Sequence, residues 1–112
     1  DPDLNVVGGF SVYPDGFRDG NGHGTHVAGT IAALDNRSGV VGMVPGARLW
    51  AVRVLGADGS GTWEDVIAGL EWVAENSATI DVVNVSLGGS LQDQTPLRVA
   101  IQAITQAGIP VI

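Results

Sequence analysis

Cysteine and lysine are both absent from the 112 residues. Without cysteine there is neither a disulfide nor a thiolate metal centre, and the redox compartment leaves no mark. Without lysine there is no Walker-type phosphate loop, whose lysine reaches the phosphates. Five arginines stand against twelve acids, for a formal net charge of −7. Such a chain repels a phosphate backbone, so no nucleic-acid partner is expected; the acidity reads first as solubility. There is no run of eighteen apolar residues, so no membrane span is expected, and no basic, apolar leader within this stretch. Aromatics are few, yet hydrophobic residues make up 45% of the chain, enough for the packed core of one domain and too many for disorder.

What is present alternates between apolar runs and helical spacing. "NVVGGFSVY" (residues 5–13) reads as a short strand, followed by the turn-rich "PDGFRDGNG" (residues 14–22). From His23 to about Leu34, Val27, Ala28, Ile31 and Leu34 recur at helical spacing, and "DNRSG" stops the pattern. "ARLWAVRVL" (residues 47–55) is rich in β-formers and runs into the glycine-rich "GADGSG". Thr62 is a good N-cap, with Glu64 and Asp65 in the first turn and an apolar face through Val66, Ile67, Leu70, Val73 and Ala74. "IDVVNVSL" (residues 80–87) is a nearly continuous apolar strand of the kind buried on both sides. Thr95-Pro96 opens a further helix that Gly108 closes, and "IPVI" begins another strand. Strand and helix in alternation predict an α/β fold, a parallel sheet with flanking helices.

The stretch "DGNGHGTHVAGTIAAL" carries both histidines of the chain. A histidine at a helix N-terminus sits at the positive end of the macrodipole, which favours neutral imidazole, the form a general base needs. Gly22 and Gly24 flank His23 and leave room for another backbone to approach. The residues alone leave His23 open between a base and a structural role. A zinc reading fits poorly, because His-x-x-His lacks the i, i+4 spacing, the adjacent glutamate and a third ligand. A dinucleotide frame begins at Gly20-x-Gly22 but meets Thr25 where a glycine is required.

"HGTHVAGTIAAL" resembles the histidine motif of the subtilisin-like serine proteases, the subtilases of peptidase S8 type, and "VNVSLGG" (residues 83–89) resembles their substrate-binding strand. "AVRVLGADGSGTWEDVIAGLEWVAEN" (residues 51–76) resembles the strand, loop and helix between the two. The resemblance implies a partial subtilisin-like three-layer fold and a serine endopeptidase using a Ser-His-Asp triad, with His23 as catalytic base and His26 as a structural helix residue. It also implies that Ser86, Leu87 and Gly88 pair with the backbone of an extended peptide or protein substrate, which Gly59, Ser60 and Gly61 face from the other side. Trp63 and Val66 match positions lining a more distant subsite. The loop from Leu34 to Val40 resembles the family's calcium loop. On that likeness Ca²⁺ is held by the Asn36 side chain, the carbonyls of Leu34, Ser38 and Val40, and the Asp3 carboxylate, hard oxygen donors that suit the ion. Asp15 and Asp19 are weaker candidates for a second ion, within ordinary turn sequences. Secretion to the extracellular space is implied by the family alone.

The resemblance also implies an internal segment spanning residues 1–112, under half of such a catalytic domain. The family's aspartate motif normally precedes a stretch like "DPDL", and its oxyanion asparagine normally follows a strand beginning "IPVI". No G-T-S-M-A-like nucleophile segment surrounds Ser11, Ser38, Ser60, Ser77, Ser86 or Ser90. The 112 residues alone are therefore expected not to hydrolyse peptides. In the family, the strand carrying the aspartate lies between strands like 47–55 and 80–87. Its absence requires the chain to close the gap, to leave it to the remainder of the protease or to self-association, or to expose backbone edges. The alternative to a protease segment is an inactive fragment or engineered subdomain serving only as a folding or association module.

Overall fold

Valine-, tryptophan- and glycine-rich segments near the N-terminus and the middle of the chain come together as a parallel pair. In the computed structural model, which describes residues 1–89 and 95–112, the elements are β1 (Val6–Ser11), α1 (His23–Ala32), β2 (Leu49–Arg53), α2 (Trp63–Glu75) and α3 (Thr95–Gln106). β1 and β2 run parallel, with Val6 opposite Leu49 and Gly8 opposite Trp50 through to Ser11 opposite Arg53, and one irregularity between Val6 and Gly8. The Trp50 ring lies over Gly8, where a Cβ would collide with it. A glycine in mid-strand is thus required by the indole across the ladder.

The segments at 80–87 and 109–112, both expected as strands, meet in a single parallel bridge between Val83 and Val111. The Val83 N–H donates to the Pro110 carbonyl (3.0 Å), the Ile112 N–H to the Val83 carbonyl (2.9 Å) and the Val85 N–H to the Ile112 carbonyl (2.7 Å). Among the described residues, no backbone hydrogen bond joins this pair to β2. Residues 80–87 are apolar enough for a central strand, but a strand is completed by ladders on both sides. Here one side is open, so the parallel α/β sheet is broken into two pairs.

α2 bridges them. Thr62 caps it as expected, its hydroxyl accepting from the Asp65 N–H (3.2 Å), and Glu64 and Asp65 occupy the first turn. Val66, Leu70 and Val73, at helical spacing, are buried with Val54, Ile80, Ala100, Ile104 and Ile109 in one cluster. Gly69 lets the helix approach β2: a Cβ there would lie 2.6 Å from Val54 Cγ1 and 2.9 Å from Val52 Cγ1. On the other side Trp72 stacks on Phe10 with centroids 6.0 Å apart and tilts against Trp50 at 6.3 Å. α3 lays Ala100 and Ile104 on α2 and ends before Gly108, whose φ of 89° suits a helix-closing glycine.

α1 ends at Ala32, two residues short of the expected Leu34, because the segment after the loop returns to cap it. Gly42, Met43, Val44 and Gly46 donate their N–H groups to the carbonyls of Ala33, Thr30, Ile31 and Ala32 at 2.7–3.1 Å. The carbonyls that a helix C-terminus leaves without partners are thereby satisfied. Gly42 is needed for that approach, since its Cβ would meet the backbone at Ala32 and Ala33. The radius of gyration is 14.2 Å, against about 13 Å for a compact domain of this length. Val40, Val41, Met43 and Val44 stand exposed in one run, and Ile112 and Val82 are also largely in solvent.

Candidate active site

The N-terminus of α1 has no N-cap side chain of its own. Gly22 occupies that position in a left-handed conformation (φ 101°) that glycine adopts without steric cost. The capping acceptor comes instead from Asp19. Its carboxylate accepts from the N–H groups of Asn21 (3.0 Å), Gly22 (2.8 Å) and Thr25 (2.8 Å) and from the Thr25 hydroxyl (2.6 Å). The Thr25 hydroxyl, then the backbone N–H groups, hold the Asp19 carboxyl well below the usual range. Asn21 adds a second acceptor, its Oδ1 taking the His23 N–H at 3.3 Å. His23, the first residue of the helix, is thereby fixed at the backbone and exposed at the side chain.

Its ring reaches across to the substrate-strand candidate. His23 Nε2 lies 2.8 Å from the Ser86 carbonyl oxygen, 63 residues away in sequence. A carbonyl only accepts, so Nε2 carries the proton in this arrangement. The Ser86 hydroxyl in turn accepts from Asn84 Nδ2 (2.6 Å). Leu87 is half-buried against the core cluster and Gly88 is exposed, with open space where a Cβ would stand. His26, one turn further along α1, contributes its carbonyl to the Thr30 hydroxyl (3.2 Å).

The facing candidate segment is a tight glycine loop. The Gly56 N–H donates to the Ser60 carbonyl (2.8 Å) and the Gly59 N–H to the Gly56 carbonyl (3.0 Å). Asp58 accepts from the Ser60 N–H (3.1 Å) and hydroxyl (2.9 Å), which lowers its carboxyl pKa. Gly59 is left-handed (φ 82°), and a Cβ on Gly61 would press on the Val54 carbonyl at 2.7 Å. Asn21 Nδ2 donates to the Ala57 carbonyl (3.1 Å), tying this loop to the start of α1. Trp63 is half-buried, its ring 3.3 Å from where a Gly89 Cβ would lie, and Val66 is 6% exposed in the core behind it. His23, Ser86 and the 56–61 loop thus gather at one helix N-terminus, while Val66 offers no free surface.

Four of the five calcium candidates, Asp3, Leu34, Asn36 and Ser38, are linked by hydrogen bonds. Asn36 Nδ2 donates to Asp3 Oδ1 at 2.5 Å, and the Leu34 N–H donates to the Asp3 carbonyl at 3.1 Å. Asn36 Oδ1 accepts from the Ser38 N–H (3.1 Å), Gly39 lies beside Asp3, and Val40 is exposed. A carboxylate, an amide oxygen and backbone carbonyls are donors of the type a hard cation takes, and here Asp3 and Asn36 are in direct contact. Among the described residues, no three acidic or histidine side chains gather as a metal cage. Asp15 and Asp19, the candidates for a second ion, are each engaged by protein groups. Asp15 pairs with Arg53 (2.8 Å), a cation that also lies over the Tyr13 ring, and the Asp19 carboxylate is taken up by four protein donors. Ser90 lies outside the described residues.

Two contacts at the site are not legible in the sequence: the Asp19 cap and the Asn21 bridge. "DGNG" reads as turn chemistry, and the only available signal was an Asx residue two places before the first helical position.

The model of the Subtilase family matches residues 5–112. Subtilisin DY of Bacillus licheniformis is 48% identical over 112 residues, covering 98% of this chain and 40% of that protein. Subtilisin Savinase of Lederbergia lenta is 50% identical, covering 99% of this chain and 41% of its own length. Subtilisin E of Bacillus subtilis (strain 168) is 48% identical, over 98% of this chain and 29% of that protein. The chain thus spans about two-fifths of the first two relatives or less of the third. With the histidine motif, the 83–89 segment and the intervening loop and helix all in family order, the chain belongs to the subtilase family.

Proposed function

We propose that this chain is the base-bearing segment of a serine endopeptidase, with His23 as general base and residues 86–88 and 59–61 as the two walls of a cleft for an extended peptide. The observation that carries this reading is the 2.8 Å contact between His23 Nε2 and the Ser86 carbonyl. It brings the motif histidine to the edge where a substrate backbone would add by β-augmentation. His23 would take the proton of a serine nucleophile and return it to the leaving amine. Trp63 walls a further subsite with Val66 as its support. Asp3, Asn36 and the carbonyls of Leu34, Ser38 and Val40 hold a structural Ca²⁺, which would tie the N-terminal residues to the end of α1. An extracellular site of action belongs to the same reading and has only the family behind it.

Within the 112 residues there is a base without an acyl-forming serine in a G-T-S-M-A-like segment, so the chain alone leaves peptides intact. The decisive experiment places these residues in a chimaera, replacing the matched segment of Subtilisin Savinase. The chimaera should hydrolyse a peptide substrate, and His23→Ala should lower kcat by roughly 10⁴-fold or more with little change in KM. A folded chimaera indifferent to His23→Ala would refute the reading. The 112-residue chain alone, with and without His23→Ala, should show no turnover of a peptide ester.

A second reading, an association module without catalysis, is favoured by one specific observation. The open edges on either side of the missing ladder lie in the same chain as the exposed run Val40, Val41, Met43 and Val44. Concentration-dependent oligomerisation of the isolated chain would support it.

A further inference from the structure

Asn21 makes hydrogen bonds in three directions. Its N–H donates to Asp19 Oδ1 (3.0 Å), its Oδ1 accepts from the His23 N–H (3.3 Å), and its Nδ2 donates to the Ala57 carbonyl (3.1 Å), 36 residues away. The first two hold the start of α1; the third leaves the helix for the glycine loop. A side chain in this place must accept and donate at once, which a carboxylamide does and a carboxylate does not. Adding the ring contact of His23 with Ser86 gives a continuous path: Ala57 carbonyl, Asn21 amide, His23 backbone and imidazole, Ser86 carbonyl. It runs from one wall of the proposed cleft to the other through the proposed base.

We propose that Asn21 is a positioning residue that couples the 56–61 loop to His23, so that a peptide seated on the loop is felt at the imidazole. The coupling rests on the reading of His23 and residues 59–61 given above. The loop is stiff, closed on itself by the Gly56–Ser60 and Gly59–Gly56 backbone bonds and by Asp58 on Ser60. A displacement of Gly59 is therefore passed on rather than absorbed within the loop. Gly59 also faces the bridge directly: a Cβ at this position would stand 3.4 Å from Asn21 Nδ2. At the other end, the Asp19 carboxylate anchors Gly22 and Thr25, leaving the Asn21–His23 link as the part of the helix start that the loop contacts. A physical path becomes a coupling only when perturbation at one end is read at the other.

The test uses heteronuclear NMR of the 112-residue chain, with Gly59→Ala as an uncharged deformation of the loop, since an alanine is strained at the left-handed φ of 82°. Coupling predicts that Gly59→Ala shifts the His23 amide and imidazole resonances while those of His26, one turn further along, stay in place. Adding Asn21→Ala or Asn21→Ser should abolish the His23 response. The serine variant keeps a hydroxyl that accepts from the N–H two residues on, preserving the helix start, but it is too short to reach Ala57. It keeps the test open if the alanine variant does not fold. A His23 response that persists without the Asn21 amide, or no His23 response to Gly59→Ala, would overturn the proposal. Because the readout is a chemical shift, its failure is distinct from failure of the chimaera, which tests His23 as a base.

Discussion

Gly69 and Gly29 both sit in helix interiors, and the same substitution should move stability in opposite directions at the two sites. An alanine in place of a helical glycine contributes about 0.8–1 kcal/mol through backbone propensity. At Gly29 nothing lies within 4 Å of the added methyl, so Gly29→Ala should stabilise the chain by nearly that amount. At Gly69 the methyl would stand 2.6 Å from Val54 Cγ1 and 2.9 Å from Val52 Cγ1, where carbon atoms prefer about 3.5–4.0 Å. Both neighbours are β-branched with restricted χ1, and Val54 is buried in the core cluster, so neither swings clear. α2 must then lift from β2 by roughly 1 Å, thinning the contacts of Val66 and Leu70. Overpacking of this kind costs about 1–3 kcal/mol. Set against the propensity gain, Gly69→Ala should be neutral at best and destabilising by up to about 2 kcal/mol. Urea unfolding followed by far-UV circular dichroism would give both midpoints on one scale. A Gly69→Ala midpoint raised as far as that of Gly29→Ala would refute the close approach of α2 to β2.

Gly42→Ala should be the most damaging glycine substitution of the three, costing about 3 kcal/mol or more, because its methyl meets backbone at Ala32 and Ala33 rather than a movable side chain; loss of the cooperative urea transition would show it. The Asp19 carboxyl is held below its unfolded value of about 3.9, so its stabilising effect is complete above about pH 5 and fades as pH falls through the unfolded value toward the lower folded one. Asp19→Asn should accordingly cost about 0.5–1 kcal/mol at pH 7, the low end for an exposed cap, and the gap to wild type should narrow steadily as pH falls below about 5 in parallel acid titrations. Calcium at about 100 times its Kd should raise the stability of the chain by about 2.7 kcal/mol through Asp3 and Asn36; a thermal midpoint that rises equally in Asp3→Ala would remove Asp3 from the site.

The parts legible in the sequence are those whose determinants lie within a few residues of each other. Thr62, Glu64 and the Val66–Leu70–Val73 stripe specify α2 locally, and the helix forms where they place it. Residues 80–87 were legible as apolar but not as the isolated bridge they form, because a strand depends on neighbours that composition does not reveal. The end of α1 is not legible in the sequence for a related reason: the stop at Ala32 is set by Gly42 to Gly46 returning onto its carbonyls, not by the "DNRSG" signal. At the site, the H-G-T-H motif was legible through resemblance. The use of Asp15 was not, since Arg53, which takes its carboxylate, is 38 residues away.

The contact of His23 with Ser86 has a consequence for any catalysis built on this segment. A hydrogen bond to a carbonyl requires a proton on Nε2, whereas a base acting through Nε2 needs the lone pair there. The two states exclude one another. Under the proposed reading, the ring must therefore give up the Ser86 carbonyl before it accepts a proton from a nucleophile at that atom, and the carbonyl so released becomes free to accept from a peptide N–H. Opening the cleft and arming the base would then be one event. What drives it must supply either a donor for Ser86 or an acceptor for Nδ1–H, because the tautomer that frees Nε2 places the proton on the other nitrogen. A triad acid is such an acceptor and an extended substrate is such a donor. Under the proposed reading, the rest of the protease would bring the first to His23 and the peptide would bring the second to Ser86.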